Sequence, residues 1–359
     1  MNGVERVEQL VSIVMPTYNR AKIISGAIES IVRQPYSNWE LIVVDDRSID
    51  DTEAVIGEWM HRDARIRYVR NERSKGPGGA RNTGMLAARG EYLAFLDSDD
   101  EWFPGHLGDS MNVHALTGAD VTFALWVERH GEVESYNFDN EVERQLLNKM
   151  RTSFDTRNDG EIIICEEGLF EAFLSHTRNF FQLNTMVFRR ELLDEVGLIN
   201  EEFHLGEDTT YLLRFFDHYR IALQTKPHSV YQESPDSLYF FCDRWLLDPD
   251  TIHLHEEIYA KIEGLSFKSI KVREHIRELI VQSDSISHKS KQLLYMDIGI
   301  ASKYYTLGYL NRHDRKKALQ YCRQSIRSKV TIFNLLLYVK LLFSSRKGSA
   351  FLQKALNLW

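Results

Sequence analysis

The stretch Gly90-Glu91-Tyr92-Leu93-Ala94-Phe95-Leu96-Asp97-Ser98-Asp99-Asp100 decides the fold. Its apolar part, Tyr92 to Leu96, has the length of a buried strand; three carboxylates follow within four residues, and Glu101-Trp102-Phe103-Pro104 closes the run. Such a strand carries its acids at its C-terminal tip, and in open α/β sheets ligands bind in the crevice outside the carboxyl ends of the strands. Asp97 and Asp99 stand two apart, so a sharp turn can aim both at one point. Hard carboxylate oxygens suit Mg²⁺ or Mn²⁺ bridged to a diphosphate. Taken alone, Ser98-Asp99-Asp100 reads equally as a polar turn capping the next helix.

Towards the N-terminus the same design repeats. Val11-Ser12-Ile13-Val14-Met15 is a β-branched run stopped by Pro16, and Ile23, Ile24, Ala27, Ile28 and Ile31 recur at helical spacing until Pro35. Trp39 to Val44 is a second apolar strand ending in acids, Asp45-Asp46, and the spacing of Val55, Ile56 and Trp59 predicts a helix over 51–61. Ile66 to Val69 reads as a third strand; Lys75-Gly76-Pro77-Gly78-Gly79-Ala80-Arg81-Asn82 is a glycine-rich turn opening a helix through Ala88. Four strands alternating with helices predict βαβ units in a mostly parallel sheet, because a parallel crossover needs an intervening helix.

Towards the C-terminus the pattern loosens. The sequence predicts strands at 120–128 and 184–189, a hairpin partner at 131–138, helices at 168–174 and 190–196, a helix entered at Tyr211 to Phe216, and two short strands at 221–225 and 229–233. Residues 139–159 are charged and aperiodic and read as an insertion or loop with some helix. From about 236 the chain turns helical. Tyr305-x-x-Gly308-Tyr309-Leu310 and Ala318-Leu319-x-Tyr321-Cys322 suggest one helix-turn-helix unit of the tetratricopeptide kind, or simply a helical packing or partner domain. The expected division is residues 1–235 and 236–359.

Composition limits the classes. The 359 residues are 43% apolar and 27% charged, as in an ordinary soluble globular protein, and the formal charge of −8 argues against nucleic acid as the main partner. That total hides an asymmetry: after Asp297 the only acid is Asp314, against many Lys and Arg. Cys165, Cys242 and Cys322 are scattered and odd in number, which suggests neither a disulfide framework nor a zinc site. The N-terminus lacks the layout of a signal peptide, and no apolar run reaches the roughly 20 residues that span a bilayer; Val330 to Phe343 is broken by Asn334 and Lys340. A cytoplasmic protein without a spanning helix is expected, with a basic tail suited to peripheral contact at the inner face of a membrane, to a solvated helix face, or to pairing with a second subunit.

Each strand tip or following turn offers a nucleotide something different. Pro16-Thr17-Tyr18-Asn19 places a ring and an amide, Asp45 or Asp46 accepts from a base imide or ribose hydroxyls, and Gly78 to Asn82 brings backbone N–H groups and a guanidinium. Their order is specific. Val14-Met15-Pro16-Thr17-Tyr18-Asn19-Arg20, Val43-Val44-Asp45-Asp46-Arg47-Ser48, Gly79-Ala80-Arg81-Asn82-x-Gly84, the acid-tipped strand and Gly206-Glu207-Asp208 together resemble family 2 glycosyltransferases of the GT-A fold, over roughly residues 10–235. The resemblance implies an α/β, Rossmann-like catalytic domain followed by an α-helical domain. It implies an inverting transferase that moves a sugar from a nucleotide diphosphate sugar, commonly a uridine one, to a hydroxyl acceptor on a glycan, a lipid-linked intermediate or a protein.

Carried over residue by residue, the resemblance puts the nucleoside at Thr17, Tyr18 and Asp46, with Pro16, Asn19 and Asp45 close by, and Arg81 near the base and diphosphate. Its Asp-x-Asp signature falls on Asp97, Ser98 and Asp99: Asp97 nearer the ribose, Asp99 on Mn²⁺ or Mg²⁺, with Asp100 behind them. The general base is expected at Asp208, with Glu207 as the alternative; the bland reading of that pair is acids favouring a helix dipole. Relatives often carry a His on the strand after this helix, where the chain reads Tyr231-Gln232-Glu233-Ser234; His228 or Glu233 would have to substitute. A nucleotidyltransferase would want a glycine-rich, basic loop after the first strand, and a dinucleotide-dependent oxidoreductase G-x-G-x-x-G there; both are missing. A non-catalytic nucleotide-sugar binder or scaffold acting through the helical domain is the alternative from another class.

Overall fold

The computed structural model describes residues 9–130, 133–136, 140–175, 181–232 and 251–343. Its contacts divide the chain into two compact units, Met1–Ser234 and Pro235–Trp359.

The first unit begins β1 (Val11–Thr17), α1 (Ile24–Val32), β2 (Trp39–Asp45), α2 (Thr52–Arg62), β3 (Ile66–Arg70), α3 (Pro77–Ala87) and β4 (Tyr92–Phe95). The sequence reading anticipates each of these to within about two residues. Both β1 and β2 are buried along their whole length, which is why they read as continuous apolar runs rather than alternating ones. After the short β5 (Glu101–Trp102) come α4 (His106–Thr117), β6 (Val121–His130), β7 (Val133–Tyr136), α5 (Glu141–Ser153), β8 (Asp155–Arg157), β9 (Ile162–Cys165) and α6 (Leu169–Leu174). The unit continues through β10 (Val187–Arg189), α7 (Leu193–Val196), α8 (Glu207–Leu212) and β11 (Ile221–Gln232).

The strands form one mixed sheet in the order β3-β2-β1-β4-β10-β6-β11-β9-β8, with β5 paired to β11 and β7 to β6. β3, β2, β1 and β4 are parallel, β10 runs against both β4 and β6, and β11 is parallel to β6. The C-terminal ends of β1, β2, β4 and β11 therefore open on one rim. Several details differ from the sequence expectation: the helix expected to be entered at Tyr211 begins at Glu207, and β5 and β8 are unexpected short strands. Residues 141–153 form a regular helix that buries only Leu146, Leu147 and Met150, so the rest of its surface reads as an aperiodic polar stretch. β9, an Ile-Ile-Ile-Cys run buried throughout, is an additional strand. The two expected strands at 221–225 and 229–233 are one strand whose register shifts on either side of Pro227, a residue with no N–H to give the ladder.

The second unit comprises α9 (Glu256–Gln282), α10 (Lys289–Leu310), α11 (Arg315–Ser328) and α12 (Ile332–Phe343). α10 and α11 form a hairpin across residues 311–314, where the Asp314 side chain caps α11 by accepting from the Lys317 N–H at 3.1 Å. Gly308 permits their close approach: a Cβ there would lie 2.8 Å from Cys322 Sγ. No described helix is long and apolar enough to cross a membrane.

Candidate active site

At the rim, each strand ends in a turn tied to its neighbour. Thr17 pairs in register with Asp45, and the Asp46 N–H donates to the Thr17 carbonyl at 2.8 Å. Pro16 and Thr17 are buried, and Thr17 Oγ1 has no partner among the described residues. Asn19 takes a left-handed backbone (φ 54°), donates its N–H to Ser48 Oγ and accepts from the Ile49 N–H at 2.9 Å, joining the first turn to the second. Tyr18 stays half exposed beneath Lys75, whose Nζ lies 4.2 Å from the ring centroid. Asp45 accepts from the Ser48 N–H, Ser48 Oγ and the Tyr68 hydroxyl, so it holds its own loop. Asp46 accepts from Asn71 Nδ2 at 2.6 Å and from the Gly76 N–H at 2.7 Å, which fixes the start of the glycine-rich turn.

The tip of β4 turns sharply, the Asp100 N–H donating back to the Asp97 carbonyl at 3.1 Å. Ser98 is buried in that turn. Asp99 pairs with Arg20 at 3.1 Å; burial raises its carboxyl above the usual range, the charge of Asp97 raises it further, and Arg20 partly offsets both. Asp100 points inward, accepting from the Gln232 N–H at 2.8 Å and from Asn184 Nδ2. Asn184 also accepts from the Asp97 N–H at 3.0 Å and its carbonyl takes the Trp102 indole N–H at 2.6 Å, so one amide fixes the whole acidic turn.

Arg81, buried on α3, connects the separate parts. Nη2 donates to Asp97 at 2.7 Å and Nη1 to Glu207 at 3.1 Å. Burial works against its charge, but Asp97, Glu207 and Asp208 more than compensate and hold the guanidinium protonated. Glu207 reaches it because α8 is anchored by aromatic side chains. Tyr211 stacks edge-on to Phe215, Phe215 to Phe188 on β10, and Phe188 lies 6.0 Å from Phe95 on β4, while the Tyr211 hydroxyl meets Met85 Sδ on α3 at 3.6 Å. Burial raises the Glu207 carboxyl above its usual range, Arg81 opposes this and Asp208 adds to it. Asp208 is half-buried, and its Oδ1 accepts from the Thr209 N–H at 2.6 Å.

The chain before α8 is fixed to the glycine-rich turn by Glu201, which accepts from Asn82 Nδ2 at 2.8 Å and from Arg73 Nε and the Ser74 N–H. Burial opposes its charge, but these donors pull its pKa down to about 2. Asn184 and Glu201 escape sequence reading because their partners lie tens of residues away and no short motif marks them; Arg20 closes the first motif, but its pairing with Asp99 is not visible there. His228 faces His106 (Nδ1 to Nδ1, 3.2 Å) and Asp109 (3.9 Å), and no described contact joins it to the acids at the β4 tip. Glu233 lies outside the described residues.

Among the described residues no cluster of three or more metal-ligating side chains is assembled. The acidic turn nonetheless suits a hard divalent cation, which binds through one or two carboxylates and takes its other ligands from phosphate and water. Arg20 pairs with Asp99 and Arg81 with Asp97, so both carboxylates of that turn already face positive charge.

Comparison with known proteins adds an independent line. The family model described as Glycosyl transferase family 2 matches residues 12–196. The chain is 43% identical over 116 residues to the Escherichia coli UDP-Glc:alpha-D-GlcNAc-diphosphoundecaprenol beta-1,3-glucosyltransferase WfgD, covering 32% of this chain and 44% of that one. It is 34% identical over 202 residues to the Campylobacter jejuni GalNAc(5)-diNAcBac-PP-undecaprenol beta-1,3-glucosyltransferase, covering 56% and 58%. The chain thus spans less than two thirds of the length of these curated relatives. Similar solved folds include S. aureus TarS 1-349 in complex with UDP-GlcNAc (TM-score 0.53, 18% identity, 93% of this chain and 80% of that one). Another is the mannosyltransferase PcManGT from Pyrobaculum calidifontis in complex with GDP-Man and Mn2+ (TM-score 0.53, 17% identity, 95% and 89%).

Proposed function

Since the chain belongs to glycosyl transferase family 2, we propose that it is an inverting transferase that moves a sugar from a nucleotide diphosphate sugar to a hydroxyl of a lipid-linked glycan. One observation carries the reading: Arg81 draws Asp97 from the β4 tip and Glu207 from α8 onto one guanidinium, so acids over a hundred residues apart share one site. The two relatives named for undecaprenol-diphosphate-linked sugars support the acceptor class, and the one named as a UDP-Glc transferase supports a uridine donor.

In this reading Thr17, Tyr18 and Asp46 line the nucleoside end of the rim, with Pro16, Asn19 and Asp45 shaping its floor. Asp97 and Asp99 would hold Mn²⁺ or Mg²⁺, which supplies Lewis-acid stabilisation of charge on the departing diphosphate when bound. Arg81 holds Asp97 in place and adds fixed positive charge where that anion develops. Asp208 accepts the proton of the acceptor hydroxyl. The oxygen then bonds the anomeric carbon from the face opposite the diphosphate, and the breaking bond leaves its electron pair on the diphosphate oxygen. Asp208 suits the base better than Glu207 does, because the Glu207 carboxylate is committed to the buried guanidinium while Asp208 Oδ2 makes no described hydrogen bond.

The test is transfer from a panel of uridine and guanosine diphosphate sugars to polyprenyl-diphosphate-linked sugars, with Mn²⁺ or Mg²⁺ present. Turnover lowered at least about a hundredfold in Asp208→Asn, with donor binding retained, is expected. Donor binding without turnover on any acceptor would favour a non-catalytic binder and overturn the proposal.

A further inference from the structure

α12 presents an apolar face that nothing described covers. Its Asn334, Leu337 and Leu341 turn inward, the two leucines packing with Ala318 and Cys322 of α11. At 3.6 residues per turn the opposite face is Ile332, Leu335, Leu336 and Val339, flanked by Phe333. All five are exposed, Ile332 and Phe333 each by 67%. A helix apolar all round is ordinarily buried on every side or meets a membrane.

Charge identifies what meets this one. Exposed Lys340 borders the face on the Phe333 side. On the other side Arg323 of α11 reaches Tyr338, its Nε 3.3 Å from the hydroxyl. Exposed Lys329 and Val330 lead into the helix, and Arg315 donates to the Leu341 and Leu342 carbonyls near its end. After Asp297 the only acid in the chain is Asp314, whereas Lys and Arg recur to Lys354. A second copy of the same face would meet like charge, whereas an anionic lipid surface complements both the apolar stripe and its basic borders. α12 is twelve residues long, about 18 Å, too short to cross a hydrocarbon core of about 30 Å.

We propose that α12 lies flat in the interface of an anionic bilayer, with Ile332, Leu335, Leu336 and Val339 among the acyl chains and Lys329, Lys340 and Arg323 at the headgroups. This rests on the helical unit alone and is independent of the transferase reading. The test is co-sedimentation of the full chain with phosphatidylcholine vesicles with or without phosphatidylglycerol. Binding to the anionic vesicles, weakened by salt, is expected. A triple variant Ile332→Gln, Leu336→Gln, Val339→Gln should bind at least about tenfold more weakly, and each basic residue removed in Lys329→Gln and Lys340→Gln should cost about fivefold. Hydrogen exchange of the wild type adds a readout that needs no variant: vesicles should slow exchange in residues 332–343. No binding by the wild type, equal binding by the triple variant, or unchanged exchange in α12 would overturn the proposal. So would a dimer that dissociates in the triple variant while lipid is ignored.

Discussion

At the scale of single residues, the site depends on one guanidinium balancing two carboxylates. Arg81→Met keeps the apolar stem but strands Asp97 and Glu207 beside each other's charge. Breaking a buried pair by removing one partner costs about 3 kcal/mol or more, so urea denaturation should show a loss of that size together with loss of transfer. Arg81→Lys offers a point charge without the fork and should recover less than half of it. The two acids of α8 should separate in kinetics. Asp208→Asn is expected to lower kcat by roughly a hundredfold to ten-thousandfold, the usual worth of a general base, with donor Kd unchanged. Glu207→Gln should instead weaken donor binding, because it releases Arg81. A loss of kcat in Glu207→Gln alone would reverse the two roles. The acids themselves were legible in the sequence, since each closes a strand or opens a helix in a short motif. The pairings of Arg20, Asn184 and Glu201 were not, because a single Arg, Asn or Glu carries no sign of a partner 79, 84 or 119 residues away.

At the scale of elements, α3 is held against the sheet by glycines as much as by apolar contacts. A Cβ on Gly84 would sit 2.3 Å from Val14 Cγ1, so the helix carrying Arg81 rides directly on β1. Gly84→Ala should therefore destabilise the chain by about 1–3 kcal/mol through overpacking, read as a lower urea midpoint, and should lower donor affinity by displacing Arg81. A variant as stable as the wild type would show that α3 does not pack so closely. The βα repeats were legible because buried parallel strands are uninterrupted apolar runs and each helix keeps its 3.6-residue period. α5 was not, because three inward residues leave too narrow a stripe to detect. The bulged β11 read as two strands because Pro227 interrupts its pattern, although the chain keeps pairing with β6 across it.

At the scale of the whole molecule, three buried histidines make stability pH-dependent. Burial lowers His114 and His228 to about 4 and His106 well below its ordinary value, the neighbouring His228 adding to the last. A histidine whose folded pKa is depressed contributes stability that is present above the unfolded pKa near 6.5 and lost as pH falls towards the folded one. His114 and His228 set that window, and protonating them in the unfolded chain first should make the melting temperature drop between pH 6.5 and 4. His114→Gln should flatten the fall; an unchanged slope would contradict its burial as the neutral ring. The most direct test of the central claim, that the rim acids cooperate in holding a cation against a nucleotide diphosphate, is calorimetric titration of UDP with and without Mn²⁺ into wild type and Asp99→Asn. The account predicts that Mn²⁺ tightens UDP binding at least about tenfold in the wild type, a gain of roughly 1.4 kcal/mol, and has no such effect in the variant. Equal enhancement in both proteins, or no UDP binding by the wild type at all, would contradict it.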